Sequence, residues 1–406
     1  MSAPDRAGGT GAVTRGASGP PAGDGPASRP PASRPPASRT PGREAFGVYV
    51  HVPFCASRCD YCAFATYTDR DHLMAAYAEA CATEVHRAAA SEGLPAATSV
   101  FVGGGTPSRL PAGLLAGVLD AIVRAPGCEV TVECNPEDVT PALLDAYQRA
   151  GVTRISLGVQ STSPHVLAGL GRRHRPEVAL AAAALVGRAG FASWSMDLIL
   201  GGAGETAADW ERSLADVLGL DRPPPHVSAY ALSVEPGTPL ARDRSRHPDE
   251  DVQADRYERA DAVLTAAGYA WEEISNWARS GHECRHNQLY WAQGDYRGIG
   301  SAAHSHRAGR RWWNVRTPDR YVRAVVAGEP TTAGAEVLDD RQRAFEGLAL
   351  ALRTPAGVPA AALPPAPELA GLVDRRGGRA VLTLRGRLLA NAVTARLDPD
   401  AVRGLA

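Results

Sequence analysis

The chain has 406 residues, enough for one large domain and a smaller one, and its formal net charge of -1 gives no electrostatic footprint for nucleic acid. All 43 basic residues are arginine, in a sequence rich in Ala, Gly and Pro, so a single Arg is a weak sign of an anion clamp. Seven cysteines in this length argue against a disulfide scaffold, and no apolar run reaches bilayer length, so a reducing cytoplasm is the expected compartment.

Residues 1–44 are rich in Pro, Ala, Gly, Ser and Arg, with a five-residue repeat between Ser28 and Arg39. Such a tail buries too little apolar surface to offset ordering entropy and is expected to be disordered. From Phe46 the texture changes. Strands are predicted near 46–52, 98–102, 129–134, 154–160, 193–199 and 226–232. Amphipathic helices are predicted between them near 69–91, 112–124, 140–150, 176–189 and 206–219. This alternation implies parallel β/α units.

Strand parity adds more. Tyr49 and His51 oppose Val48, Val50 and Val52; Arg154, Ser156, Gly158 and Gln160 oppose Ile155, Leu157 and Val159. The same holds for Thr131 and Glu133, for Ser193, Ser195 and Asp197, and for His226, Ser228 and Tyr230. A parallel strand covered by apolar layers on both faces reads as continuously hydrophobic. One polar face per strand instead predicts an incomplete barrel around a polar cavity. Ligands are expected at the carboxyl ends of its strands.

Cys55, Cys59 and Cys62 follow the first strand in one short loop. Their spacing fits a zinc knuckle, a redox pair with a bystander, or three ligands of an iron–sulfur cluster. A zinc site would want a second paired motif, and a redox turn needs only two thiols. A cubane wants four ligands, so the fourth iron is left to another cysteine or to something exchangeable. Cys81 falls on a helix's apolar stripe, and Cys128 and Cys134 share the parity of Val130 and Val132; all three are expected to face core. Cys284, between His282 and His286, stays open. Gly298-Ile-Gly300-Ser-Ala-Ala303 fits a loose dinucleotide fingerprint but lacks a following helix.

The loop resembles that of radical S-adenosylmethionine (SAM) enzymes, in which Cys-x3-Cys-x2-Cys holds a [4Fe-4S] cluster whose fourth iron chelates SAM. Reduction in that family yields a 5′-deoxyadenosyl radical. Tyr49-Val-His51-Val-Pro-Phe-Cys55, Gly103-Gly-Gly-Thr-Pro107, Glu133-Cys-Asn-Pro136, Arg154-Ile-Ser-Leu-Gly-Val-Gln-Ser161 and His226-Val-Ser-Ala-Tyr230 resemble the oxygen-independent coproporphyrinogen III oxidase-like group. The resemblance implies an incomplete (β/α)6 TIM-like radical SAM barrel with a small C-terminal winged-helix-like domain. It implies SAM contacts at Tyr49, Tyr61, Gly105, Thr106, Glu133, Gln160, Arg172, Asp197 and Ala231; no catalytic residue is singled out. The organisation expected is a tail at 1–44, the barrel at 45–270, a β/α extension at 271–334 and a C-terminal domain at 335–406. Within that last part, helices are predicted at 341–353 and 386–397, with a strand at 380–384.

Two branches of the group differ at one position. The oxidase pattern has a fourth cysteine two residues after the third; here that residue is Phe64. Cys62-Ala-Phe64 and His286-Asn287-Gln-Leu-Tyr290-Trp291 resemble the HemW branch, regarded as haem chaperones. That resemblance implies haem binding at His286, Asn287, Tyr290 and Trp291, with Cys284, His286 and His304 as candidate axial ligands. It also implies haem-acceptor proteins as partners. Peripheral membrane association through acceptors and a homodimer stay open. The alternatives are a radical oxidase of coproporphyrinogen III and a zinc-stabilised binding module.

Overall fold

The structure, a computed structural model, describes residues 45–402; the tail expected to be disordered lies outside the described residues. Six strands form its frame: β1 (Phe46–Val52), β2 (Ala97–Gly104), β3 (Arg124–Cys134), β4 (Arg154–Gln160), β5 (Ser193–Leu200) and β6 (His226–Ala231). They pair in parallel in chain order, β1 through β6. The apolar parity packs outward on helices: Val48, Val50, Val130, Val132, Ile155, Leu157, Met196, Leu198 and Val227 are nearly inaccessible and share one core. The polar parity lines the concave side. Among the described residues no strand pairing closes the sheet into a barrel.

Local chemistry sets where helices start and stop. Thr140 caps the helix Pro141–Arg149, accepting from the Leu143 N–H, and Thr206 forms a capping box with Asp209 ahead of Ala207–Leu218. The helix Met74–Glu92, preceded by a short 3-10 turn, ends at left-handed Gly93, and Pro176–Ala189 ends at left-handed Gly190. The helix predicted to reach residue 124 stops at Ala121, because Ile122 turns extended and Arg124 already pairs with Ala97. β3 is thus longer than predicted, with a register shift before Ser99 meets Glu129.

The sheet continues on both flanks. β7 (Ala270–Glu273) and β8 (Asn276–Ala278) form a hairpin that pairs antiparallel with β6. On the other side, β9 (Asp295–Ile299) runs parallel to β1, followed by antiparallel β10 (His304–Arg307), β11 (Arg310–Asn314) and β12 (Thr332–Val337). Gly300 leads into a turn and then β10, not a helix. Buried Glu84 holds that turn, accepting from Arg297, the Gly300 N–H, Asn314, Tyr321 and Thr331 at 2.6–3.2 Å. A carboxylate with this many donors needs no solvent.

The C-terminal part has its own small core, with Leu352, Val358, Leu363, Ala380 and Val393 inaccessible. The helix Asp340–Ala351 precedes a three-stranded sheet of β13 (Val358–Pro359), β14 (Val373–Arg376) and β15 (Arg379–Leu382). Gly377 and Gly378, both at positive φ, turn the β14–β15 hairpin. The helix predicted over 386–397 is instead two short ones, Leu384–Leu388 and Ala390–Thr394, because Leu389 leaves helical geometry between them.

Candidate functional site

A cavity of about 800 Å³ opens at the carboxyl ends of β1–β6, and Cys55, Cys59 and Cys62 line one end of it. All three are free thiols. The Cys55 N–H donates to Tyr67 O and the Cys62 N–H to Cys59 O, which holds the loop as a turn. Burial lifts the Cys55 and Cys62 thiols above their ordinary range, and the neighbouring thiols push the same way. Thr106 Oγ1 approaches Cys55 Sγ at 3.5 Å and Arg172 Nη1 approaches Cys59 Sγ at 3.4 Å. Among the described residues, no three His, Cys, Asp or Glu side chains converge on one metal ion. A cubane asks for something different: each thiolate takes a separate iron, so the three sulfurs stand apart around a common mouth. Three free thiols lining one cavity, with a guanidinium beside Cys59, fit such a cluster.

Every residue for which a SAM contact was predicted lines this cavity: Tyr49, Tyr61, Gly105, Thr106, Glu133, Gln160, Arg172, Asp197 and Ala231. Backbone geometry explains two of them. A Cβ on Gly105 would sit 2.8 Å from Phe54 O and 3.0 Å from Cys55 Sγ, so only glycine lets the strand end approach the loop. Gln160 adopts φ 68°, in the left-handed region, where the β4–β5 register shifts. A non-glycine residue held there beside a cavity is backbone strain at a candidate site.

Asp197 accepts from Ser156 Oγ and Ser228 Oγ, each at 2.7 Å, and from Ser195 Oγ at 3.4 Å. Glu133 accepts the Gly104 N–H at 3.1 Å; burial and the Asp197 charge push its carboxyl up to about 7. Arg172 donates to Asn135 Oδ1 at 2.9 Å and Gly158 O at 3.0 Å, and Asn135 Nδ2 reaches Thr106 Oγ1. Sequence reasoning did not single out Asn135 or Phe101. Both sit in quoted or neighbouring strand-end segments, and Phe101 has cavity-facing parity as the pair partner of Tyr49.

The other four cysteines are buried, and Cys134 and Cys284 also reach the wall of this cavity. Cys81, Cys128 and Cys134 pack in the core. Cys284 is buried at the floor of the cavity: its N–H donates to Glu272 Oε1 at 3.0 Å, and its Sγ sits 3.7 Å from Glu129 Oε1. Arg154, 2% exposed, donates there to Ser193 Oγ and His282 O, and His226 Nε2 meets Glu272 Oε2 at 3.0 Å. Burial drives His226 well down and Glu272 up to about 8, so the pair is held uncharged.

Cys284 also heads the helix Arg285–Trp291, which carries the haem-motif residues. His286 has 0% exposure. Its Nδ1 meets Ser99 Oγ at 2.9 Å and its Nε2 meets Tyr290 OH at 2.8 Å, with Phe101 stacked at 5.5 Å between ring centroids. Burial lowers its pKa to about 3, and neither nitrogen is offered to a ligand. Asn287, Tyr290 and Trp291 instead line a second cleft of about 400 Å³, whose far wall is Leu350 and Arg353. His304, the third candidate axial ligand, is exposed on β10 and stacks on Trp313.

The sequence model of the radical SAM superfamily matches residues 49–217. A Mycobacterium tuberculosis protein named "Heme chaperone HemW" is 45% identical over 380 residues, covering 87% of this chain and 95% of the relative. The chain belongs to the HemW family of the radical SAM superfamily. A relative of the same name from Synechocystis sp. is 36% identical over 78% of this chain and 80% of the relative. The solved structure of Escherichia coli coproporphyrinogen III oxidase (HemN), titled a radical SAM enzyme, aligns with TM-score 0.74 at 23% identity. It covers 87% of this chain and 89% of that chain. At that identity the likeness establishes the shared fold. Among the described residues, no helix is long and apolar enough to cross a membrane.

Proposed function

We propose that this chain is a haem chaperone on a radical SAM fold, binding a [4Fe-4S] cluster, SAM and haem and passing haem to acceptor proteins. One observation carries the reading: 45% identity over 95% of a relative named for haem chaperone activity. Cys55, Cys59 and Cys62 would hold the cluster, which supplies one open iron for the amino and carboxylate groups of SAM. Glu133 and Asp197, at the strand ends, offer acceptors for ribose hydroxyls or an ammonium. Arg172 places a cation beside the thiolates, and Gly104 and Gly105 let backbone approach a ligand closely. Asn287, Tyr290 and Trp291 offer haem a largely aromatic wall.

The oxidase reading has support from the HemN fold. Against it stands Phe64, 66% exposed at the cavity mouth, where the oxidase pattern has cysteine. The reconstituted protein loaded with haem and mixed with an apo-acceptor tests the proposal: haem should move to the acceptor and stay put without it. Formation of protoporphyrinogen IX from coproporphyrinogen III, SAM and a reductant would overturn the chaperone reading. Uptake of zinc with no iron and sulfide would overturn the cluster.

A further inference from the structure

Arg353 stands apart from most of the other guanidiniums deep in this chain. It is partly buried, and burial lowers its pKa. Among the described residues no carboxylate pairs with it: its contacts are Ala349 O at 2.6 Å, Asn391 Oδ1 at 2.8 Å and Thr394 Oγ1 at 3.2 Å. By contrast Arg297, also deep in the fold, is paired with Glu84 and Glu92. A guanidinium at the wall of a cleft with no carboxylate partner keeps its charge available to an incoming anion.

The surroundings of Arg353 say what kind of anion. It closes the second cleft opposite Tyr290 and Trp291, with Ile274 and Leu350 adding aliphatic surface. Glu273, the one carboxylate lining this cleft, is engaged by Asn276 Nδ2, the Ser275 N–H and Trp291, and burial pushes it up to about 7. A flat apolar molecule with a carboxylate at its edge matches an aromatic wall facing a guanidinium fork. Tyr230 and Asn287 line both this cleft and the SAM cavity, so the two share a wall.

We propose that the cleft between the helix Arg285–Trp291 and the C-terminal part is the haem site, with Arg353 pairing a haem propionate. This rests on the haem-chaperone reading and adds an anchor from outside the family motif. His286 then serves as a positioning residue, holding Tyr290 through Nε2, and not as the axial ligand. The test uses the full-length reconstituted protein, titrated with haemin and with haemin dimethyl ester, whose propionates carry no charge. Wild type should prefer haemin, and Arg353→Met should weaken haemin binding by about 10- to 100-fold while leaving the ester unchanged. Equal discrimination in wild type and Arg353→Met would overturn the assignment alone. Failure of the wild type to bind haemin would overturn the haem-chaperone reading and this assignment with it. Because Arg353 also braces Asn391 and Thr394, Leu350→Trp supplies a second check by filling the cleft. It should block both ligands, and undiminished binding of haemin would place the site elsewhere.

Discussion

The two ends of one partial barrel treat polar groups in opposite ways. At the amino ends, Glu129, Glu272 and His286 are buried and engaged by their neighbours, and Arg154, His226 and Cys284 close against them as the floor of the cavity. At the carboxyl ends, Tyr49, Glu133, Gln160, Arg172 and Asp197 line open space, one of them in a strained backbone conformation. Polar groups that close on each other build a floor; polar groups that face a cavity await a ligand. His286 belongs to the floor even though its sequence motif points to haem, and this difference guides the experiments below.

The largest effect separates the cysteines. Cys55→Ser, Cys59→Ser or Cys62→Ser should each abolish cluster retention after anaerobic reconstitution, measured as iron and sulfide per chain. Cys81→Ser, Cys128→Ser, Cys134→Ser and Cys284→Ser should leave that content unchanged, since Cys81, Cys128 and Cys134 pack in the core and Cys284 is held at the cavity floor by Glu129 and Glu272, outside the three-thiol loop. A cluster lost in Cys284→Ser would break the division between the two ends.

Next in size is the floor. His286→Ala removes a fully buried ring and orphans Ser99 Oγ and Tyr290 OH, so it should lower unfolding stability by about 2–4 kcal/mol. Chemical denaturation of the haem-free protein checks this, and an unchanged midpoint would return His286 to the role of ligand. Asp197→Asn is the matched change at the other end. Asparagine keeps the shape and one acceptor oxygen, and the Ser156 hydroxyl can turn to accept from the new NH2, so stability should move by less than about 1 kcal/mol, while SAM affinity should fall about 10-fold or more. Equilibrium binding of SAM to the reconstituted variant measures that split.

Much of this contrast was legible in the sequence, because parity in a strand is rigid. Apolar Ile155, Leu157 and Val159 had to face helices, which turned Ser156, Gly158 and Gln160 inward. Less legible were features with a thin apolar signal. The helix Glu250–Ala266, unassigned from sequence, buries only Tyr257, Ala260 and Leu264, and is held at its start by Asp249 accepting from Asp251 and Val252. β9–β11 carry Arg, His or Trp in short runs, β12 is a small-residue run, and their order depends on the Glu84 hub, whose donors lie more than 200 residues away. In the site, the SAM-contact positions came from motif resemblance supported by strand parity. The fate of His286 turned on Ser99, from a distant strand whose pairing with the motif helix no local pattern announces. Arg353 lies in the C-terminal part, outside every motif.

The smallest effect is a pH dependence confined to the carboxyl end. Glu133 is raised from 4.5 to about 7, by burial first and by Asp197 second. In the ligand-free protein the native state therefore holds a proton that the unfolded chain has already released. The stabilising contribution is fully present below about pH 4.5 and is lost as pH rises through about 7. A cationic ligand beside Glu133 reverses the preference, because its binding favours the ionised carboxylate. SAM affinity should therefore be about tenfold weaker at pH 6 than at pH 8, the factor set by one pH unit below the carboxyl's midpoint. Glu133→Gln should flatten that profile, weaken binding at pH 8, and stabilise the ligand-free chain at alkaline pH by removing a half-buried charge. A SAM profile that stays steep in Glu133→Gln would assign the titration to another group and remove Glu133 from the ligand's contacts.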